Sequence, residues 1–261
     1  MPLTIDLISD LHRESWNNFD WTGQATSPYC IVAGDVARDR ALVIDQLEHL
    51  SECYSAVFYI DGNDEHKDYM GDLSRSYREL TALVKGIKNV VYLHSNVLIV
   101  DDVAILGTNG WWTYDFDPTV DMEQGLQWIM DYHDINREAA LEVRQAAWED
   151  AAYLINSVKQ LQSHTEVKSI IIVSHTVPSR WLVDHDIDLQ GSWRFNTMGS
   201  SVLDRALDED HQGKVKTWCF GHYHGSIDRM HNNVRYVNNC RGRGDTNFHQ
   251  AAYYPKRIVI D

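Results

Sequence analysis

The sequence predicts an α/β protein, and three observations predict it. Short runs rich in Val, Ile and aromatic residues recur along the chain, segments with helical spacing lie between them, and no repeat, low-complexity tract or Pro/Gly-rich linker divides the 261 residues. The expected strands are Leu3 to Ser9, Tyr29 to Ala33, Ala56 to Ile60, Val90 to Leu93, Asn96 to Val100, Val103 to Leu106, Ser169 to Ser174, Lys214 to Phe220, Val234 to Asn238 and Arg257 to Ile260. Helices are expected at 39 to 53, 68 to 86 and 136 to 162. In the third, Val143, Ala147, Ala151, Leu154, Val158 and Leu161 follow 3- and 4-residue spacing and mark a core-facing stripe. We expect one domain over 1–261 with a helical insertion at about 109–165. That insertion holds four tryptophans and ten Asp/Glu against three Lys/Arg, as a cap over a site or as an acidic, solvent-facing helix.

Composition narrows the function. A formal net charge of -15 opposes non-specific binding to nucleic acid or to anionic membranes, because both need a basic surface. No apolar run approaches the roughly 18 to 20 residues of a membrane span, and the start lacks a basic segment followed by an apolar one, so a cytoplasmic location is expected. Cys30, Cys53, Cys219 and Cys240 form no C-x-x-C pair and read as reduced core residues. Neither G-x-S-x-G nor G-x-x-x-x-G-K-[ST] is present, which removes the common serine-hydrolase and P-loop chemistries.

The residues just after the apolar runs are more informative. Five expected strands end in Asp10-Leu11-His12, in Gly34-Asp35, in Asp61-Gly62-Asn63-Asp64, in His175 and in Gly221-His222-Tyr223-His224. Ligands of open α/β sheets bind outside the carboxyl ends of strands, so these residues can converge although about 210 positions separate the first from the last. Each piece alone is weak. Together, mixed carboxylate, amide and imidazole donors exceed what one tetrahedral zinc needs and suit two transition-metal ions sharing a carboxylate.

This ordered set resembles the signature of the calcineurin-like metallophosphoesterases, D-x-H, G-D, G-N-H-[DE], a lone His and G-H-x-H, over residues 6 to 224. SHTVPS at 174 to 179 and NNCRGRG at 238 to 244 are similar to the small bacterial and phage branch of predicted phosphohydrolases. The resemblance implies a four-layer αββα sandwich of two mixed β-sheets flanked by helices. It also implies two divalent transition-metal ions, manganese first, with iron, nickel, cobalt or zinc as alternatives. Asp10, His12, Asp35 and His224 would hold one ion; Asp35, Asn63, His175 and His222 would hold the other. The implied activity is phosphoester hydrolysis by a hydroxide shared between the ions, with Asp35 as the bridge. Asn63, His175 and Arg241 are expected to contact substrate.

One position departs from the pattern, since Asp64 stands where the family carries His. Two ions, less two ligand carboxylates and one hydroxide, leave about one positive charge to meet a phosphate, and an ionised Asp64 would cancel it. We therefore expect phosphodiesters to be preferred. The replacement for the missing acid is either His66 or Asp64 itself, unless His66 only faces solvent at a helix start or Asp64 inactivates the site. Arg243 could contact phosphate as Arg241 could, although an exposed glycine-rich turn of charged residues is the preferred reading for both. His133 and Asp134 could line the pocket, and Trp111 and Trp112 could stack on a base or belong to the core. The expected partner is a small phosphate ester, with a nucleotide among the candidates. The alternatives are a phosphomonoesterase and a catalytically retired scaffold that binds a partner protein.

Overall fold

A computed structural model describes residues 2–16, 20–244 and 252–260. Its strands are β1 (Leu3–Ile8), β2 (Tyr29–Ala33), β3 (Ala56–Ile60), β4 (Val90–Tyr92), β5 (Asn96–Val100), β6 (Val103–Thr108), β7 (Ser169–Ser174), β8 (Val215–Phe220), β9 (Asp228–His231), β10 (Val234–Asn238) and β11 (Lys256–Ile260). The helices are α1 (Arg40–Cys53), α2 (Leu73–Val84), α3 (Met122–His133), α4 (Arg137–Gln162) and α5 (Trp193–Asn196).

The strands form two sheets, ordered β11-β1-β2-β3-β4 and β5-β6-β7-β8-β10-β9. β1 to β4 run parallel with β11 antiparallel at one edge, while β6, β7, β8 and β10 run parallel between antiparallel β5 and β9. Parallel pairing sets the carboxyl ends of the central strands of each sheet along one rim.

Strand alternation builds the layers. Ile5, Leu7, Ile31, Ala33, Phe58 and Ile60 of the first sheet pack against Val103, Ile105, Ile171, Val173, Cys219 and Val237 of the second, so a buried core lies between the sheets. On the outer face of the first sheet, Val32, Val57 and Tyr59 meet Val43, Leu47 and Leu50 of α1 and Leu80 and Val84 of α2. On the outer face of the second, Ala104, Leu106, Ile170, Ile172 and Trp218 meet Ala151, Leu154, Val158 and Leu161 of α4. The result is the expected four-layer sandwich. Each fully buried Val, Leu or Ile contributes about 1.5–3 kcal/mol, so the layer contacts dominate the stabilisation.

The insertion is joined to this body through α4. The first half of that helix packs Ala140, Val143 and Ala147 against Trp111, Trp112, Tyr114 and, from α3, Leu126 and Ile129, whereas its second half lies on the sheet. Asp150, in the middle, accepts hydrogen bonds from the backbone N–H groups of Gly110 (2.8 Å) and Trp111 (3.2 Å) and pins the segment after β6 to the helix. Among the described residues no disulfide forms, and no helix is long and apolar enough to cross a membrane.

Besides the single turn of α5, which was not expected, α2, α3 and β9 differ from expectation. α2 begins at Leu73 because the Asp72 side chain caps Arg75 N, and residues 64–69 form a separate 3-10 turn. α3 and β9 lack a clear sequence signal. Gly125 interrupts the apolar spacing of α3, yet a Cβ there would lie 2.9 Å from both Asn196 Nδ2 and the Tyr114 carbonyl, so glycine is what lets the helix approach. β9 is exposed at every position and therefore lacks the alternation that marks a strand.

Candidate metal centre

Backbone bonds across the strand ends assemble the site. The Asp10 N–H donates to the Gly34 carbonyl (2.9 Å), that of His12 to the Asp35 carbonyl (3.1 Å), and that of Gly221 to the His175 carbonyl (2.8 Å). The His222 N–H meets both Asp10 carboxylate oxygens at 3.0 Å. Asp10, His12, Asp35 and His222 have φ of 50°, 42°, 50° and 62°, the left-handed region that costs energy for any residue but glycine. Four candidate ligands thus turn sharply out of their strands, held by the neighbouring chain. Gly34, at φ 82°, is required for approach: a Cβ would lie 2.5 Å from His175 Nδ1 and 2.7 Å from Gly62 N.

The side chains that could hold a metal ion fall into three overlapping groups, Asp10 with His12 and His224, Asp35 with His175 and His222, and His12 with Asp35 and Asp64. Within the first, His12 Nε2 faces His224 Nε2 at 3.1 Å, and His224 Nε2 is 3.3 Å from Asp10 Oδ1. Within the second, His175 Nε2 is 3.1 Å from Asn63 Oδ1 and 3.4 Å from Asp35 Oδ1. The other Asp35 oxygen lies 3.9 Å from His12 Nε2, so its carboxylate addresses both groups.

Tautomers are fixed from outside. His175 Nδ1–H donates to the Ala33 carbonyl at 2.9 Å, leaving Nε2 a bare lone pair, and His222 Nε2–H donates to the Thr197 carbonyl at 3.0 Å, leaving Nδ1 bare. A cation between that bare His175 nitrogen and the Asn63 amide oxygen, either a metal ion or a proton, would complete the contact. The donor set therefore fits two divalent ions of the borderline class. Electrostatics agree in direction. Burial alone would lower His175, but Asp35 and Asp10 push it up to about 10; His12, buried likewise, is pushed up to about 10 by Asp64 and Glu14. Burial would raise Asp35, yet His175 and His12 hold it well below the usual carboxylate range.

The loop after β3 departs most from expectation. Asp64 is buried, its Oδ2 lies 3.2 Å from His12 Nδ1, and it forms an ion pair with Arg243. His66 does not reach the site. It is fully buried behind the loop, with Nδ1 2.7 Å from Ser76 Oγ and Nε2 2.7 Å from Asp61 Oδ2, so both ring nitrogens are occupied. Arg241 is also elsewhere, its guanidinium 4.2 Å above the Trp16 ring. Arg243 takes the place expected of Arg241, because the Arg241 and Gly242 N–H groups bond the Ser9 and Asp10 carbonyls and turn residue 243 towards the ligands.

Sequence reasoning matched Glu65 to the motif but gave it no role. Its buried carboxylate accepts from the backbone N–H groups of Asp35 (3.2 Å), Val36 (2.8 Å) and Gly62 (2.9 Å), tying the loops after β2 and β3 together. Burial, then the Asp35 charge, push its carboxyl up to about 8. The sequence signal was its place at the [DE] of G-N-H-[DE]. Above this floor opens a cavity of about 510 Å³, lined on the far side by residues of α3, α5 and the loop before α5. His133 and Trp112 line it; Trp111 is buried in the core, its indole N–H donating to Tyr77 Oη at 2.7 Å.

Two mixed sheets lie face to face with Asp, Asn and His converging from five strand ends, the arrangement implied by the resemblance to calcineurin-like metallophosphoesterases. Among solved structures, phosphopantetheinyl hydrolase (PptH) from Mycobacterium tuberculosis superposes with a TM-score of 0.71 at 17% identity, over 100% of this chain and 97% of that one. GAP50, the anchor in the inner membrane complex of Plasmodium, superposes with a TM-score of 0.50 at 12% identity, over 99% of this chain and 78% of that one. At such identities the likeness is one of fold. No sequence family and no curated protein sequence matches the chain.

Proposed function

We propose that this protein is a metal-dependent phosphoesterase acting on small phosphate esters, with Asp10, His12, Asp35 and His224 holding one divalent ion and Asp35, Asn63, His175 and His222 the other. The observation that carries the reading is the pair of ligand groups meeting at Asp35, whose two oxygens point one to each. Bound there, two such ions supply Lewis-acid activation of water near neutral pH and charge stabilisation for phosphoryl oxygens. The protein's own part is positional. Ala33 and Thr197 carbonyls fix which nitrogen of His175 and His222 faces inward, Asp10 receives the His222 N–H, and Glu65 fixes the Asp35 backbone. Manganese remains our first choice of ion. The retained ligand groups favour an enzyme over a binding-only scaffold, and the net charge of -15 favours a small substrate over a nucleic acid.

A diester preference would require an uncompensated Asp64. Arg243 pairs with that carboxylate, which returns about one positive charge to the cavity. We therefore propose that diesters and monoesters are both accepted and that the Arg243–Asp64 pair sets the balance between them. The test is hydrolysis of bis-p-nitrophenyl phosphate and p-nitrophenyl phosphate with manganese, nickel, zinc and magnesium, beside the Asp35→Asn variant. Metal-dependent hydrolysis that falls about a thousandfold in the variant supports the proposal. Tight binding of two ions with no hydrolysis of either ester would favour the scaffold.

A further inference from the structure

Facing the candidate metal centre, the cavity has an aromatic wall that metal binding does not require. Tyr132, at the end of α3, lines the cavity and keeps 57% of its surface exposed although the Trp193 ring lies against it, centroids 4.1 Å apart and planes 31° apart. The Trp193 contact covers part of the tyrosine ring, and more than half of the residue's surface stays open. Leu189 and Met198 extend the same wall with apolar surface, and His133 stands edge-on to Tyr132 with ring centroids 4.8 Å apart. Burial, then the Lys67 charge, push the His133 imidazole down to about 4 against the pull of Asp64, so the wall presents a neutral ring at neutral pH.

The volume speaks to size. About 510 Å³ lies within the roughly 300–1,000 Å³ of small-molecule pockets, and a phosphoryl group fills only a small part of it. A large exposed ring on the rim of such a cavity is the arrangement proteins use for stacking flat groups.

We infer that the organic part of the substrate is a planar aromatic group of about nucleoside size or smaller, stacked on Tyr132 with Trp193 as its backing. This rests on the phosphoesterase reading for the position of the phosphate. An aryl ester and a nucleotide share the chemistry. Asp186 and Asp188, also on the cavity lining, offer carboxylates to hydroxyl or amino groups, which a nucleoside carries and a simple aryl group lacks.

The experiment measures binding without turnover, by calorimetry on the manganese-incubated protein. Three phosphonates are compared: benzyl, cyclohexylmethyl of nearly equal size, and a nucleoside 5′-phosphonate. The wild type should bind at least one aromatic phosphonate about 5-fold or more tightly than the cyclohexylmethyl compound, and the tighter of the two identifies the source. Tyr132→Ala should weaken the aromatic ligands by about 5- to 100-fold and leave cyclohexylmethyl phosphonate unchanged, while Tyr132→Phe should keep the preference. Equal binding of all three, equal weakening of all by Tyr132→Ala, or no binding at all overturns the inference. Because nothing is hydrolysed, a protein that shows the aromatic preference but cleaves no ester counts against the phosphoesterase reading alone.

Discussion

The floor and the far wall of the cavity are held in different ways. On the floor, Asp10, His12, Asp35 and His175 are buried at strand ends, and backbone bonds between neighbouring strands fix three of them in left-handed turns. On the wall, Tyr132 and Trp193 sit on α3 and on the single turn of α5, the first well exposed, the second partly so, and both held mainly by ring contacts. A floor of that kind cannot yield without breaking sheet structure, so it suits the fixed geometry of metal ligands. The wall can change side chains at little cost to the fold, which suits it to selecting substrates.

The largest effect that would break this distinction comes from the clamp beneath the floor. Glu65→Ala removes the acceptor for three backbone N–H groups, and we expect metal affinity to fall about 10- to 100-fold, with a stability loss of about 2–4 kcal/mol. Metal titration together with denaturant unfolding checks it. Unchanged metal affinity would mean that the loops after β2 and β3 hold their positions without the clamp.

A smaller effect is expected where floor and wall meet. Arg243→Met leaves Asp64 without its cation, and the ratio of diester to monoester hydrolysis should rise about tenfold. Kinetics on the two p-nitrophenyl esters read that ratio. An unchanged ratio would remove the pair from any part in substrate charge selection.

The smallest effect concerns protons. In the metal-free chain His12 and His175 are both pushed up to about 10 from an ordinary 6.5. A raised imidazole stabilises the fold fully below about pH 6.5, and that contribution is lost as pH rises through about 10. The melting temperature with a chelator present should therefore drop by several degrees between about pH 6.5 and 10. With manganese the ions replace those protons and the curve should be flatter. Parallel curves would mean that metal does not occupy the histidine clusters.

The same division governs what could be read from sequence. Strand ends are local: an apolar run, a glycine and then Asp or His states both the strand and the residue it delivers, so Asp35 and His222 could be placed in advance. The wall is tertiary. Gly125 masked α3, and nothing near Tyr132 in sequence says that it faces strand ends. His66 and Arg241 failed for a related reason, because a loop's direction is set by its partners: Asp61 and Ser76 draw His66 inward, and Ser9 and Asp10 turn Arg243 rather than Arg241 to the site. The charge argument on Asp64 could not include Arg243, because that counter-ion lies 179 residues away.

Everything proposed for the floor depends on two ions sharing Asp35, with His222 and His224 on different ions. Metal content of the purified, manganese-incubated protein reads that arrangement without any substrate. Two ions per chain are expected in the wild type, about one in each of His222→Ala and His224→Ala, and close to none in the double variant. Fewer than two ions in the wild type, or a double variant that keeps the same single ion as either single variant, would contradict it.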